Sequence, residues 1–176
     1  MGITFKPPSS KLVMKIDPWA TEGIQNYKEI CEKFGLETIN PDELPNPTHL
    51  HRRGIIFAHR DLDNVLDARN TGRPFGVLSG LMPSGQIHLG HKMVIDQARW
   101  YQELGGDVTI TVADLEAHAT RGLSLEVCRK YAIEEYVTNY AGMGLEPDKT
   151  SIYFQSERPV VQKLGFTLGK KTNLSE

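Results

Sequence analysis

PFGVLSGLMPSGQIHLGH, residues 74–91, runs from a short apolar strand through a turn-rich loop into a helix. Pro74 to Ser79 reads as the strand and Gly80 to Gly85 as the loop. His88 to Leu104 reads as the helix, with Ile87, His91, Val94, Ala98 and Tyr101 as its inner stripe and Gly105-Gly106 as its stop. The text that follows repeats this alternation. Asp107 to Ala113 contains the uninterrupted β-branched run VTITVA. Ser124 is placed to cap a long helix with Leu125, Cys128, Ala132, Tyr136, Tyr140 and Met143 on one face. Ser151 to Phe154 is a third strand, and Val161, Leu164 and Leu168 mark a last helix. Apolar rather than alternating strands in the order β-α-β-α-β-α predict an α/β fold: a parallel, Rossmann-like sheet flanked by helices on both faces. The crossovers are expected to be right-handed.

In open sheets of this kind ligands sit outside the carboxyl ends of the strands. The loop 80–91 lies there and feeds a helix N-terminus, whose unpaired N–H groups and positive dipole end suit phosphate. Gly80 and Gly85 allow a tight turn and close backbone approach. His88 and His91, three residues apart, share one helix face. Two imidazoles there can donate to phosphate oxygens as negative charge develops. Gly90 between them leaves room for a flat ring on the backbone. A histidine pair at this spacing also occurs as a partly buried structural pair or an accidental metal pair, and four residues alone leave those readings open. The nested order of strand, P-S-G loop, H-x-G-H, helix and second apolar strand is the more specific signal.

The rest of the chain sets bounds. It has 176 residues, 20 Lys+Arg against 22 Asp+Glu, 39% hydrophobic and 24% charged residues, which is an ordinary globular composition rather than a disordered or collagenous one. The net charge of −2 excludes a strongly basic nucleic-acid coat but allows a local basic patch. No apolar stretch is long enough to span a membrane, and the N-terminus lacks the apolar core of a secretory signal. Cys31 and Cys128 stand far apart without a CxxC, which predicts inert core thiols in a cytoplasmic protein. Residues 1–14 read as an unordered lead-in and 15–72 as an N-terminal appendage. Within the appendage, Ile24, Tyr27, Cys31 and Phe34 predict a helix stopped by Gly35, prolines break residues 40–47, and Asp61 is expected to cap a helix carrying Leu62, Val65 and Leu66. Arg52, Arg53, His59 and Arg60 form a basic cluster, read either as a phosphate contact or as a solvated face. His49 and His51 lack a second pair at metal spacing. Trp19 is either a flap over the site or an anchor for the N-terminus.

PSGQIHLGH resembles the adenylate-forming signature of class I aminoacyl-tRNA synthetases, and P-S-G before the histidines is typical of their tryptophanyl and tyrosyl subgroup. Ile16-Asp17-Pro18-Trp19, Arg52 to Asp61 and Val112 to His118 resemble archaeal-type tryptophanyl members, and the similarity runs from about Lys15 to the last residue. The resemblance implies a HUP-type nucleotide-binding domain, of which residues 73–176 would be the first half. It implies that ATP and tryptophan condense to tryptophanyl-adenylate, and that the tryptophanyl group then moves to tRNA(Trp). Mg²⁺ would arrive with ATP rather than on a dedicated protein site. His88 and His91 would be catalytic and, with Ser84, Gly85 and Gly90, would hold ATP. Leu78, Thr111, Asp114, Glu116 and, from topology, Gln155 would face the amino acid or ribose, with Ser156 beside Gln155. A homodimer is implied for the full-length protein.

The chain departs from the family pattern in two places. Leu78 and Thr111 occupy the positions where eukaryotic-type members carry a tyrosine and a glutamine that read the indole N–H, and a leucine cannot accept a hydrogen bond. The family's second, lysine-rich signature is also not found: Lys92-Met93-Val94 falls inside the first long helix, and Lys170-Lys171-Thr172 follows only the third βα unit. A truncated domain without full activity is therefore expected. The alternatives are a tyrosyl-tRNA synthetase, a small nucleotidyltransferase, and a synthetase-like binding protein without catalysis.

Overall fold

The computed structural model describes residues 27–169. The chain divides into two compact units, residues 1–36 and 37–176. Of the first unit, the described part is helix α1, Tyr27–Phe34, with Ile30 and Cys31 buried. Gly35 follows in the left-handed region at φ +60°, which lets the Leu36 amide turn back to the Cys31 carbonyl at 2.8 Å. Ile24, Trp19, the 1–14 lead-in and Lys170-Lys171-Thr172 lie outside the described residues.

The second unit is built on three parallel strands: β3 (Gly76–Leu81), β4 (Asp107–Val112) and β5 (Thr150–Phe154), in the order β3-β4-β5. Val77 pairs with Val108 and Leu81 with Val112 across the first ladder; Ile110 pairs with Ile152 across the second. Val108 and Ile110 on this face form the core with Ile95 and Ala98 of α4 (Leu89–Glu103) and with Tyr136, Tyr140 and Leu145. The strand pattern predicts helical cover on both faces. Among the described residues it is found on this one, whereas Leu78, on the opposite face of β3, is 74% exposed. The predicted α4 stripe is also displaced. Ala98 is buried as expected, but Val94 is exposed, and Ile95 and Gln102 are buried in its place. Gln102 tolerates burial because its amide is fully used: it donates to the Lys149 carbonyl (3.2 Å) and Thr150 Oγ1 (2.9 Å) and accepts from the Glu146 amide (2.8 Å). At the end of α4, Gly105 takes φ +103°, and a Cβ on Gly106 would lie 2.5 Å from the Phe75 ring, so both glycines are required.

Residues 37–72 belong to this second unit. Strands β1 (Glu37–Thr38) and β2 (Ala58–His59) pair antiparallel, and short helix α2 (His49–Arg52) lies between them. Leu44 and Leu62 pack with Trp100 of α4 and with Leu104, just after it, in a second core cluster. The Trp100 indole N–H donates to the Pro45 and Asn46 carbonyls at 3.0 and 3.1 Å, which pins the proline-broken segment. His51 Nδ1 accepts the Thr48 amide at 3.1 Å, and its buried ring packs on Trp100 at 4.7 Å. Helix α3 (Leu62–Asn70) forms as expected, but Asp61 does not cap it. Asp61 sits at φ +59° with no side-chain cap bond, and His59 Nδ1 accepts the Leu62 amide in its place.

A helix that the sequence pattern does not predict, α5 (Asp114–Arg121), follows β4 directly. The long helix then runs as α6 (Leu125–Tyr131), a π-helical turn (Ala132–Val137) and α7 (Thr138–Gly142), with Ser124 Oγ accepting the Val127 amide as predicted. Cys128, Ala132, Tyr136 and Tyr140 are buried at four-residue steps. A regular α-helix would rotate such a series steadily off one face, and the wider π turn offsets that drift. Helix α8 (Pro159–Leu168) closes the described chain with Val160, Leu164 and Phe166 exposed. No described helix is long and apolar enough to cross a membrane.

Candidate functional site: a histidine pair and a crevice at the strand ends

The strands deliver their carboxyl ends to one side, and an open crevice of about 600 Å³ lies there. Leu78 and Thr111 from the uncovered sheet face, Glu116 from α5 and Gln155 after β5 line it, so four of the five residues expected to face the amino acid or ribose come together. Gly80, Met82 and Tyr153 complete the wall beside them. A Cβ on Gly80 would meet the Thr111 carbonyl at 3.3 Å, so a bare backbone at this position keeps β3 close to β4. Gly80 therefore serves strand packing; the turn itself begins only after Leu81.

Asp114 is not brought to the crevice. It is 2% exposed, and its carboxylate accepts the Leu115 amide (3.0 Å), the Ser156 amide (3.1 Å) and the Ser156 hydroxyl. It ties the start of α5 to the turn after β5 and so holds Gln155, the preceding residue, at the crevice wall. Ser156, expected beside Gln155 in the crevice, is spent on this tie.

The histidines form a reciprocal cap at the start of α4. His88 Nδ1 accepts the Gly90 amide and His91 Nδ1 accepts the His88 amide, both at 3.2 Å. With Nδ1 accepting a backbone amide in each ring, the ring proton is assigned to Nε2, which makes that atom a donor. The rings lie 3.9 Å apart. Burial, and then the neighbouring His88, lower the His91 pKa below the usual histidine value and keep that ring neutral. The flat ring resting over Gly90 is His88's own: a Cβ on Gly90 would be 3.0 Å from His88 Cε1. At Gly85 an added Cβ would meet no atom within 4 Å, and the φ is not left-handed, so neither the turn nor packing demands glycine there. Ser84 is exposed, and its amide donates to the Met82 carbonyl at 2.8 Å.

Sequence reasoning misses three contributors. Met82 lines the crevice while its carbonyl also receives the Tyr136 hydroxyl at 3.3 Å. Tyr136, which the sequence places only on one face of the long helix, meets the His91 ring edge-on at 5.3 Å. Arg158 places its guanidinium 4.8 Å over the ring of Tyr153. Met82 and Arg158 signal themselves only by standing close after a strand, whereas Tyr136, inside the long helix, carries no such signal. Among the described residues, no three His, Cys, Asp or Glu side chains are grouped to hold a metal ion. Cys128 is buried, and burial followed by the nearby Asp114 pushes its thiol pKa up.

Parallel strands, a crevice at their carboxyl ends and paired imidazoles on a helix start define an α/β domain with a candidate ligand site at its strand ends. The family described as class I tRNA synthetases (W and Y) matches residues 69–176, and the chain belongs to it. It is 45% identical over 165 residues to the tryptophan–tRNA ligase of Methanosarcina acetivorans, covering 92% of this chain and 37% of that protein. It is 41% identical over 166 residues to that of Methanocaldococcus jannaschii, covering 93% and 45%. Among solved structures, the tryptophanyl-tRNA synthetase of Aeropyrum pernix superposes with a TM-score of 0.77 at 37% identity, covering 91% of this chain and 46% of that one. The Encephalitozoon cuniculi enzyme bound to tryptophan gives 0.72 at 27%, covering 85% and 47%. The chain thus spans less than half the length of these relatives.

Proposed function

We propose that this chain supplies the ATP- and tryptophan-binding part of a tryptophan–tRNA ligase. The observation that carries the reading is the His88–His91 pair, with both Nδ1 atoms occupied by backbone amides and both Nε2–H groups left as donors at a helix start. In the activation step a tryptophan carboxylate oxygen attacks the α-phosphorus of ATP. A carboxyl–phosphate bond forms, the bond to the β-phosphate oxygen breaks, and pyrophosphate leaves. Negative charge gathers on the phosphate oxygens, and preoriented N–H donors stabilise it without reorganising. Ser84, Gly85 and Gly90 shape the same loop. Mg²⁺ enters on the triphosphate as part of the substrate. Glu116, exposed at the crevice wall, suits the substrate ammonium; Leu78 and Thr111 offer the indole a partly apolar floor, and Gln155 an amide. Transfer to tRNA(Trp), a homodimeric working unit and a cytoplasmic location belong to the same reading.

The test joins the chain to the carboxyl-terminal remainder of the Methanosarcina acetivorans relative and measures exchange of pyrophosphate into ATP. Exchange dependent on tryptophan is expected. Exchange supported by tyrosine instead, or by neither amino acid, overturns the proposal, the second outcome in favour of a binding protein without catalysis.

A further inference from the structure

Tyr136 is 2% exposed, and it sits in the π-helical turn 132–137, behind the loop that joins β3 to α4. It reaches that loop at Met82 and, nine residues on, at His91. Its hydroxyl donates to the Met82 carbonyl at 3.3 Å, and its ring meets the His91 ring edge-on at 5.3 Å and 73°. The Met82 carbonyl also takes the Ser84 amide at 2.8 Å, and the Met82 sulfur receives the Thr120 hydroxyl at 3.6 Å, so this one residue is held at both its backbone and its side chain. Pro83, next to it, is fully buried. Tyr140 braces Tyr136 from behind, ring to ring at 6.3 Å and 86°. Tyr136 does not line the crevice. Its two loop contacts nevertheless fall at Met82, where the loop leaves the crevice wall, and at His91, the second imidazole of the pair.

We infer that Tyr136 is a positioning residue: it clamps both ends of the 82–91 loop and so sets the His91 ring in the geometry that receives the phosphates of ATP. The inference rests on the functional reading above for the identity of the ligand, but the clamp itself is a property of the loop. A tyrosine is needed rather than a phenylalanine because the ring supplies the face against His91 and only the hydroxyl reaches Met82. The π turn belongs to the device, since it keeps Tyr136 on the same buried face as Cys128, Ala132 and Tyr140. Burial pushes the phenol pKa up, so the hydroxyl remains a donor at neutral pH.

The experiment compares Tyr136→Phe with Tyr140→Phe, a buried tyrosine that makes no contact with the loop among those described. In the 176-residue chain, nitrogen-15 spectra of the His91 ring and of the Met82 and Ser84 amides should move in Y136F and stay in place in Y140F. In the joined enzyme, Y136F should raise the KM for ATP about tenfold, the scale of one lost hydrogen bond, with the KM for tryptophan unchanged. A merely structural role would lower the amount of active enzyme and leave both KM values alone. Unmoved His91 and Ser84 signals overturn the clamp. Moved signals with an unchanged KM for ATP overturn its role in phosphate binding. If the wild-type joined enzyme exchanges no pyrophosphate with tryptophan, the functional reading falls, while the spectra still decide the clamp.

Discussion

Replacing Gly90 by alanine separates fold stability from ligand geometry. The new methyl carbon would stand 3.0 Å from His88 Cε1 and 3.1 Å from His88 Nδ1. Carbon atoms in contact prefer about 3.5–4.0 Å, so the ring must retreat by roughly half an ångström. The Gly90 amide bond to His88 Nδ1, already 3.2 Å long, is then lost, and with it the orientation of the His88 donor. Helix propensity acts the other way: alanine is favoured over glycine by up to about 1 kcal/mol inside a helix, and less at the second residue of α4. Stability should therefore stay within about 1 kcal/mol of wild type. A donor aimed half an ångström off should cost about tenfold in kcat/KM for ATP, since a full ångström of misplacement costs about a hundredfold. The assay is pyrophosphate exchange in the joined enzyme, read beside thermal melting. Gly142→Ala is the matched control, because nothing lies within 4 Å of the added carbon and Gly142 is distant in sequence from the loop. Exchange in Gly90→Ala within twofold of wild type, with melting unchanged, would refute the claim that the His88 ring position matters to ATP.

Two further outcomes are expected from the packing. Gln102→Leu leaves the Glu146 amide and the Lys149 carbonyl without their buried partner; at about 1–3 kcal/mol for each orphaned group, urea denaturation should show a loss of about 2–6 kcal/mol, and a loss below about 1 kcal/mol would mean that water replaces the amide. Burial lowers the pKa of His51 and, together with His88, that of His91. The unfolded chain therefore binds more protons, and the stability these rings contribute is present above the ordinary histidine pKa of about 6.5 and is lost as pH falls below it towards their lowered folded values. The melting temperature should fall between pH 7 and pH 5, and His51→Leu, though less stable at pH 7, should lose less over that interval; an equal slope in both proteins would count against the buried-histidine account.

The elements legible in the sequence are those with a strong period or an end signal. VTITVA, the Gly105-Gly106 stop and the Ser124 cap each act locally, so they can be placed without knowledge of neighbours. Leu78, Thr111, Glu116 and Gln155 reach one crevice because parallel topology sends every strand end the same way. What is not legible depends on tertiary partners. Strands of two residues, such as β1 and β2, have no period to detect. Asp114 is acidic at a strand end and looks like a ligand residue, yet the hydroxyl and amide of Ser156, 42 residues later, claim its carboxylate. His51 gives no sequence sign of the Thr48 amide and the Trp100 ring that enclose it. The α4 stripe shifts because Gln102, polar in the sequence, is buried by its bonds to residues 146–150.

The spatial order of the three strands is also their order along the chain. That bears on how the domain is made. Gly76 must wait for Asp107, and Val108 for Thr150, so each ladder closes a loop of 31 and then 42 residues before any sheet bond rewards it. As the polypeptide leaves the ribosome, each new strand adds to the free edge of the one before, and no earlier pairing has to open to admit it. The helices α4 and α6–α7 emerge in the intervals and can cover the growing face as it forms. Translation and sheet assembly can thus proceed in step, from β3 outward.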